Sequence, residues 1–151
     1  MTSLVRRYLK TAIVFLIVGL AIGFWMMAQR EFTNQLASPF VRSAHTHAIL
    51  VGFVMMMILG VAQWMFPRPA KDDTRYDPRR AEISYWMLTL GTAGRVAGEL
   101  LRAGRNDTWL RIAVVITGAC QVLGLLVFFG NMWSRIRGTG SVAREEGGER
   151  F

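Results

Sequence analysis

Four apolar runs, each near the roughly 20 residues needed to cross a bilayer, leave this chain few ways to fold. They cover residues 11–28, 45–66, 83–101 and 110–130. Hydrocarbon offers backbone groups no water, so a segment crossing it must satisfy its own hydrogen bonds as a helix. The expectation is an all-α membrane protein, a four-transmembrane-helix bundle. The second helix should start before its apolar run, because Ser38-Pro39 reads as an N-cap followed by proline at the first helical position. A start at Pro39 gives a rod of about 42 Å at the standard helical rise.

Charge sets the orientation. Arg6, Arg7 and Lys10 precede the first run, and Arg68, Lys71, Arg75, Arg79 and Arg80 lie between the second and third. Arg135, Arg137, Arg144 and Arg150 follow the fourth, whereas the other two loops hold only Arg30, Arg42, Arg102, Arg105 and Arg111. Twelve basic residues against five put both ends and the middle loop in the cytoplasm, N-in/C-in. Trp25, Trp64, Trp109 and Trp133 fall near run ends, where indoles prefer the interface. The expected location is the inner (cytoplasmic) membrane, as a multi-pass protein in the lipid bilayer.

Composition enters as a consistency test. A chain of 151 residues that is 52% hydrophobic yet carries a net charge of +8 fits a soluble fold poorly. The basic excess does not imply nucleic acid, because the cations sit in short segments beside apolar runs. The amino-terminal run opens like a signal peptide but is longer than an h-region and ends in Gln29-Arg30-Glu31, so it reads as a retained helix. Cys120 is the only cysteine, which excludes an internal disulfide and covalent haem attachment through paired cysteines. Residues 1–137 form the expected transmembrane domain, and the glycine-rich polar stretch 138–151 the expected disordered cytoplasmic tail. Gly19/Gly23 and Gly94/Gly98 have the spacing that lets helices approach closely, and Gly91, Gly94 and Gly98 offer a small-residue face for contact between subunits.

Both histidines occur together, in His45-Thr46-His47. Residues two apart on a helix lie roughly 200° apart, so the imidazoles point to opposite sides and cannot chelate one ion. Each could serve its own ligand, or both could hydrogen-bond in a wet vestibule. Ionisable groups at membrane depth are costly and usually functional.

The stretch His45-Thr46-His47-Ala48-Ile49-Leu50, with Gly52, Gly60, Trp64 and then Phe66-Pro67, resembles the tenth helix of the haem-copper oxidase catalytic subunit. The likeness spans about 23 residues, and a weaker one extends over the chain, as in small four-helix relatives of that subunit. The resemblance implies that His45 would ligate the high-spin haem and His47 the low-spin haem. It also implies an outer-to-inner direction for this helix, which agrees with the charge count. The family's copper site needs three further histidines and its low-spin haem one more, and this chain has none. A complete oxidase or reductase is therefore not expected from this chain by itself.

The reading is a b-type haem protein that binds protohaem (haem b) noncovalently through His45, His47 or both. It would transfer electrons with a respiratory-chain redox partner or bind a small gas. A homo-oligomer with haem at a subunit interface would supply the missing imidazole. Otherwise the sixth position is a thioether from Met26 or Met27, water, or empty, whereas Met55, Met56 and Met57 belong to the core or face lipid. Arg42, Arg95 and Arg102 are placed on chemistry and depth as propionate partners, with Arg95 and Glu99 alternatively a neutralised ion pair. The alternatives are a non-catalytic accessory or assembly subunit of a respiratory complex, and a copper-handling membrane protein using His and Met.

Overall fold

The computed structural model describes residues 3–67 and 75–136. The expected tail 138–151, the domain boundary at 137 and the cations Arg68, Lys71, Arg137, Arg144 and Arg150 lie outside them. Every regular element among the described residues is helical: α1 (Ser3–Thr33), α2 (Pro39–His47), a π-helical segment (Ala48–Met55), α3 (Met56–Met65), α4 (Pro78–Arg102) and α5 (Thr108–Met132), closed by a 3₁₀ turn, Trp133–Arg135. The segment from α2 to α3 is one rod, so four rods result. Three are long and apolar enough to cross a membrane: Ser3–Thr33, Pro39–Met65 and Thr108–Arg135. The α4 rod has the length but carries Arg79, Arg80, Glu82, Arg95, Glu99 and Arg102.

Local signals explain most boundaries. The Ser38 hydroxyl accepts from the Val41 amide at 3.3 Å, so α2 starts at Pro39 as its cap predicts. Asp77 caps α4 through the Arg79 amide at 2.8 Å, again with proline first. Helix α1 ends where Asn34 turns left-handed at φ 52° and its amide returns to the Arg30 carbonyl at 3.1 Å, a conformation that asparagine tolerates.

The rods converge most tightly at the end bearing the middle loop. Tyr8, Phe15, Met56, Leu59, Leu88 and Phe128 are among the buried side chains there. Tyr8 meets Tyr85 edge-on at 5.1 Å between centroids. Polar links lock the same end. Arg135 is buried and donates to the carbonyls of Pro67, Gln63 and Phe66 at 2.9, 3.0 and 3.0 Å. These include terminal carbonyls that α3 cannot satisfy itself. Asn131 holds the Asp77 amide and carbonyl at 2.8 and 3.0 Å. The opposite end is held by smaller contacts, with Ala44 and Ala48 buried against Val96 and Ile22 packed beside them.

Helices α4 and α5 make the most extensive contact, and this overturns one expectation. A Cβ on Gly91 would lie 2.9 Å from the Thr117 carbonyl oxygen, one on Gly94 2.6 Å from Thr117 Cγ2, and one on Gly98 2.8 Å from Val114 Cγ2. The face with Gly91, Gly94 and Gly98 is therefore consumed inside the chain and is not available for contact between subunits. Gly19 and Gly23 also act as close-approach positions, with Ile49 and His45 respectively lodged against them. Met56 is fully buried, while Met55 and Met57 are partly buried against the same core.

Candidate functional site

Helix α2 delivers the two histidines at its last turn. The ring of His45 turns toward α1, and its Nδ1 lies 2.9 Å from the Gly19 carbonyl oxygen. A carbonyl oxygen only accepts, so Nδ1 is the donor, and in the neutral ring Nε2 is the nitrogen with the lone pair. Gly23, one turn further along α1, makes room for the ring: a Cβ there would sit 2.8 Å from His45 Cε1 and 3.2 Å from Nδ1. Beyond the imidazole is a cavity of ≈370 Å³ lined by His45, Gly23, Met26, Met27, Arg30, Leu36, Ala37 and Arg42. One space thus gathers an oriented imidazole, two thioethers and two guanidiniums.

His47 faces the other way, as the two-residue spacing predicts. Arg95 and Glu99 of α4 are charged groups on that side. The α2–α4 register is read from two contacts: the Arg102 guanidinium carbon stands 4.3 Å from the Phe40 ring centroid, and the Ser43 hydroxyl donates to Glu99 Oε1 at 2.8 Å. One further turn along α2 and back along α4 brings His47 level with Arg95. Arg95 Nε donates to Glu99 Oε1 at 3.1 Å and its Nη1 reaches Gln121 Oε1 at 3.5 Å. The Gln121 amide in turn donates to Thr92 Oγ1 at 3.0 Å. Gly118 on α5 leaves the guanidinium its space, since a Cβ there would lie 3.0 Å from Nη1. Glu99 is only 4% exposed. Three buried polar atoms on this face, His47 Nδ1, Glu99 Oε2 and Arg102 Nε, have no partner among the described residues.

The predicted site residues therefore divide between two faces of one helix. His45 and Arg42 share the first cavity with Met26 and Met27. His47 and Arg95 share the second face, and Arg102 lies further out, stacked on Phe40. The expected Arg95–Glu99 ion pair is present at 3.1 Å. Sequence reasoning missed Arg30, Ser43, Thr92 and Gln121. Gln121 had a legible signal, as a polar residue inside an apolar run, and so did Ser43, one turn before His47 on the same face. It also missed the π-helical turn Ala48–Met55 directly after the pair. That segment is apolar on all sides, so no polar periodicity marks the slip from i→i+4 to i→i+5 bonding.

Residues 3–145 match the family model of cytochrome c and quinol oxidase polypeptide I. The chain belongs to that family. No curated protein and no solved structure matches it. Membership in the oxidase polypeptide I family makes this a small relative of haem-copper oxidase subunit I, a transmembrane protein of respiratory-chain type for which a haem cofactor is plausible. Among the described residues no three His, Cys, Asp or Glu side chains gather as a metal site. Nitrogen ligands for an iron held in a porphyrin are a separate matter, because the porphyrin supplies the equatorial set and the chain need offer only axial atoms.

The residues present fit that role. An axial histidine needs its second nitrogen engaged so that tautomer and ring orientation are set, and His45 has this. Propionates need cations at one edge, and Arg30 and Arg42 line the same cavity.

Proposed function

We propose that the protein is a membrane b-type haem protein that transfers electrons or binds a small gas, with protohaem bound noncovalently through His45, His47 or both. The observation that carries this reading is the 2.9 Å bond between His45 Nδ1 and the Gly19 carbonyl. It fixes the ring of a histidine that lines a cavity and, in the neutral ring, leaves the Nε2 lone pair free for a ligand. Bound haem supplies a one-electron redox centre or a gas-binding iron. The chain's own side chains would do the rest: His45 and His47 would offer nitrogen to the iron, Arg42 would pair with propionates on one face, and Arg95 and Arg102 would do so on the other.

This reading takes all four rods as spans, with both ends cytoplasmic. Helix α4 is the polar one, and its charge at depth is offset by the Arg95–Glu99 pair. It also takes the functional unit as a homo-oligomer. The whole chain has two imidazoles and they face apart, so a second copy would bring both the missing ligand and the missing wall. Native mass spectrometry from a mild detergent tests this, and a haem-loaded monomer with a full six-coordinate spectrum refutes it.

The decisive assay for haem is a pyridine haemochrome measurement with the haem-to-protein ratio. A Soret band with split reduced α and β bands is expected for two axial ligands, and a band that shifts with carbon monoxide for one. Protein expressed with added haem that shows no Soret band ends the reading. It would favour instead an accessory or assembly subunit of a respiratory complex, which the scarcity of histidine ligands also supports.

A further inference from the structure

Two of the buried atoms without partners on the α2–α4 face are chemically complementary. One is His47 Nδ1, a nitrogen that carries a proton whenever Nε2 is used as a ligand. The other is Glu99 Oε2, a pure acceptor when the carboxylate is ionised. A buried donor and a buried acceptor without partners are each costly, and here both lie on one face of the bundle.

The neighbours limit where the carboxylate can turn. Glu99 Oε1 is already taken by the Ser43 hydroxyl at 2.8 Å and Arg95 Nε at 3.1 Å. Those two bonds anchor the carboxylate on the side of α4 that meets α2, with Oε2 as its free oxygen. Ser43 lies one turn before His47 on the same face of α2, so its bond to Glu99 brings the carboxylate to that face. Both unpartnered atoms thus belong to the same α2–α4 contact.

We propose that Glu99 accepts the His47 Nδ1 proton in a hydrogen bond, making it a positioning residue that fixes the His47 ring with Nε2 presented outward and makes that nitrogen a stronger donor. The inference rests on the haem reading for its redox consequence but not for the bond itself. It separates the two histidines in character. His45 leans on a neutral backbone carbonyl, whereas His47 would lean on a carboxylate that also pairs with Arg95. A carboxylate partner raises ligand basicity more than an amide carbonyl does. Iron ligated by His47 is thereby favoured in its ferric form, relative to the same iron without Glu99.

The chain has only two histidines, so a nitrogen-15 spectrum of histidine-labelled protein contains two imidazoles and His45 serves as the internal reference. In Glu99→Gln the His47 Nδ1 signal is expected to move while that of His45 stays. In Glu99→Asp, which keeps the charge on a shorter arm, it is expected to move less. In haem-loaded protein, Glu99→Gln is expected to shift the ferrous-to-ferric ratio at fixed potential at least tenfold toward ferrous, which is about 59 mV for one electron. Signals that stay put in both variants, or that move together for both histidines, overturn the proposal. If wild-type protein takes up no haem, the haem reading fails by itself, and the Nδ1 signal still decides whether the pair exists.

Discussion

Adding one methyl group at Gly23 is expected to damage the site more than the fold. An ideal Cβ there lies 2.8 Å from His45 Cε1 and 3.2 Å from Nδ1, closer than carbon atoms pack, so in Gly23→Ala the ring has to move. The ring is held on its other side by the 2.9 Å bond to Gly19, and moving it strains or breaks that bond. Loss of the bond costs about 1 kcal/mol, and overpacking adds about 1–3 kcal/mol. A destabilisation of roughly 2–4 kcal/mol follows from these two contributions. The effect on haem is expected to be separate and larger, since losing the partner of an axial histidine typically weakens metal binding about 10–100-fold.

Gly19→Ala is the matched control. Its Cβ meets the side chain of Ile49, with Cγ1 at 2.7 Å, and the Gly19 carbonyl remains in place. Haem titration of the two purified variants, followed by the Soret band with thermal unfolding in parallel, compares them directly. Gly23→Ala should lose haem affinity or become five-coordinate, while Gly19→Ala, whose Cβ meets Ile49 and not the His45 ring, should lose less haem affinity for the same loss of stability. Equal haem affinity and identical spectra for Gly23→Ala and wild type would refute the claim that the Gly19–Gly23 cradle orients an axial ligand.

His45→Ala and His47→Ala are expected to differ, because the rings sit on opposite faces with different partners. Haem content and coordination state by absorbance measure this, and two variants with wild-type spectra would remove histidine ligation altogether. Reporter fusions at Asp107 and after the last residue should fall on opposite sides of the membrane, and matching locations would sink the topology. Gly91→Ala places a Cβ 2.9 Å from the Thr117 carbonyl oxygen and 3.1 Å from the Gln121 amide nitrogen, both backbone atoms that cannot swing aside. It should lower the unfolding midpoint, by about 1–3 kcal/mol in stability, without changing the oligomeric state by light scattering. A change of assembly with unaltered stability would return that face to the subunit interface.

Much of the fold was legible because it depends on quantities that add along the chain. Run length predicts the rods, and Ser38-Pro39 combines a capping side chain with a residue suited to start a helix; the equivalent Asp77-Pro78 went unread, and α4 starts before its apolar run. The opposite facing of His45 and His47 follows from angular rise alone, and it survives in the structure because both lie in α2, before the π-helical turn. The site resisted reading where it depends on which face meets which. Gly94 and Gly98 announced a close contact, but sequence could not say whether another subunit or α5 would take it. Arg42, Arg95 and Arg102 were assigned together by depth, yet two of them answer to His47's face and one to His45's. Depth is a one-dimensional coordinate and cannot separate opposite sides of a helix. Only the packed structure brings the Gly19 carbonyl to His45 and the Glu99 carboxylate to the face of His47. A backbone oxygen has no residue type to betray it, and a pairing 56 positions apart exists only once α2 and α4 have been laid side by side.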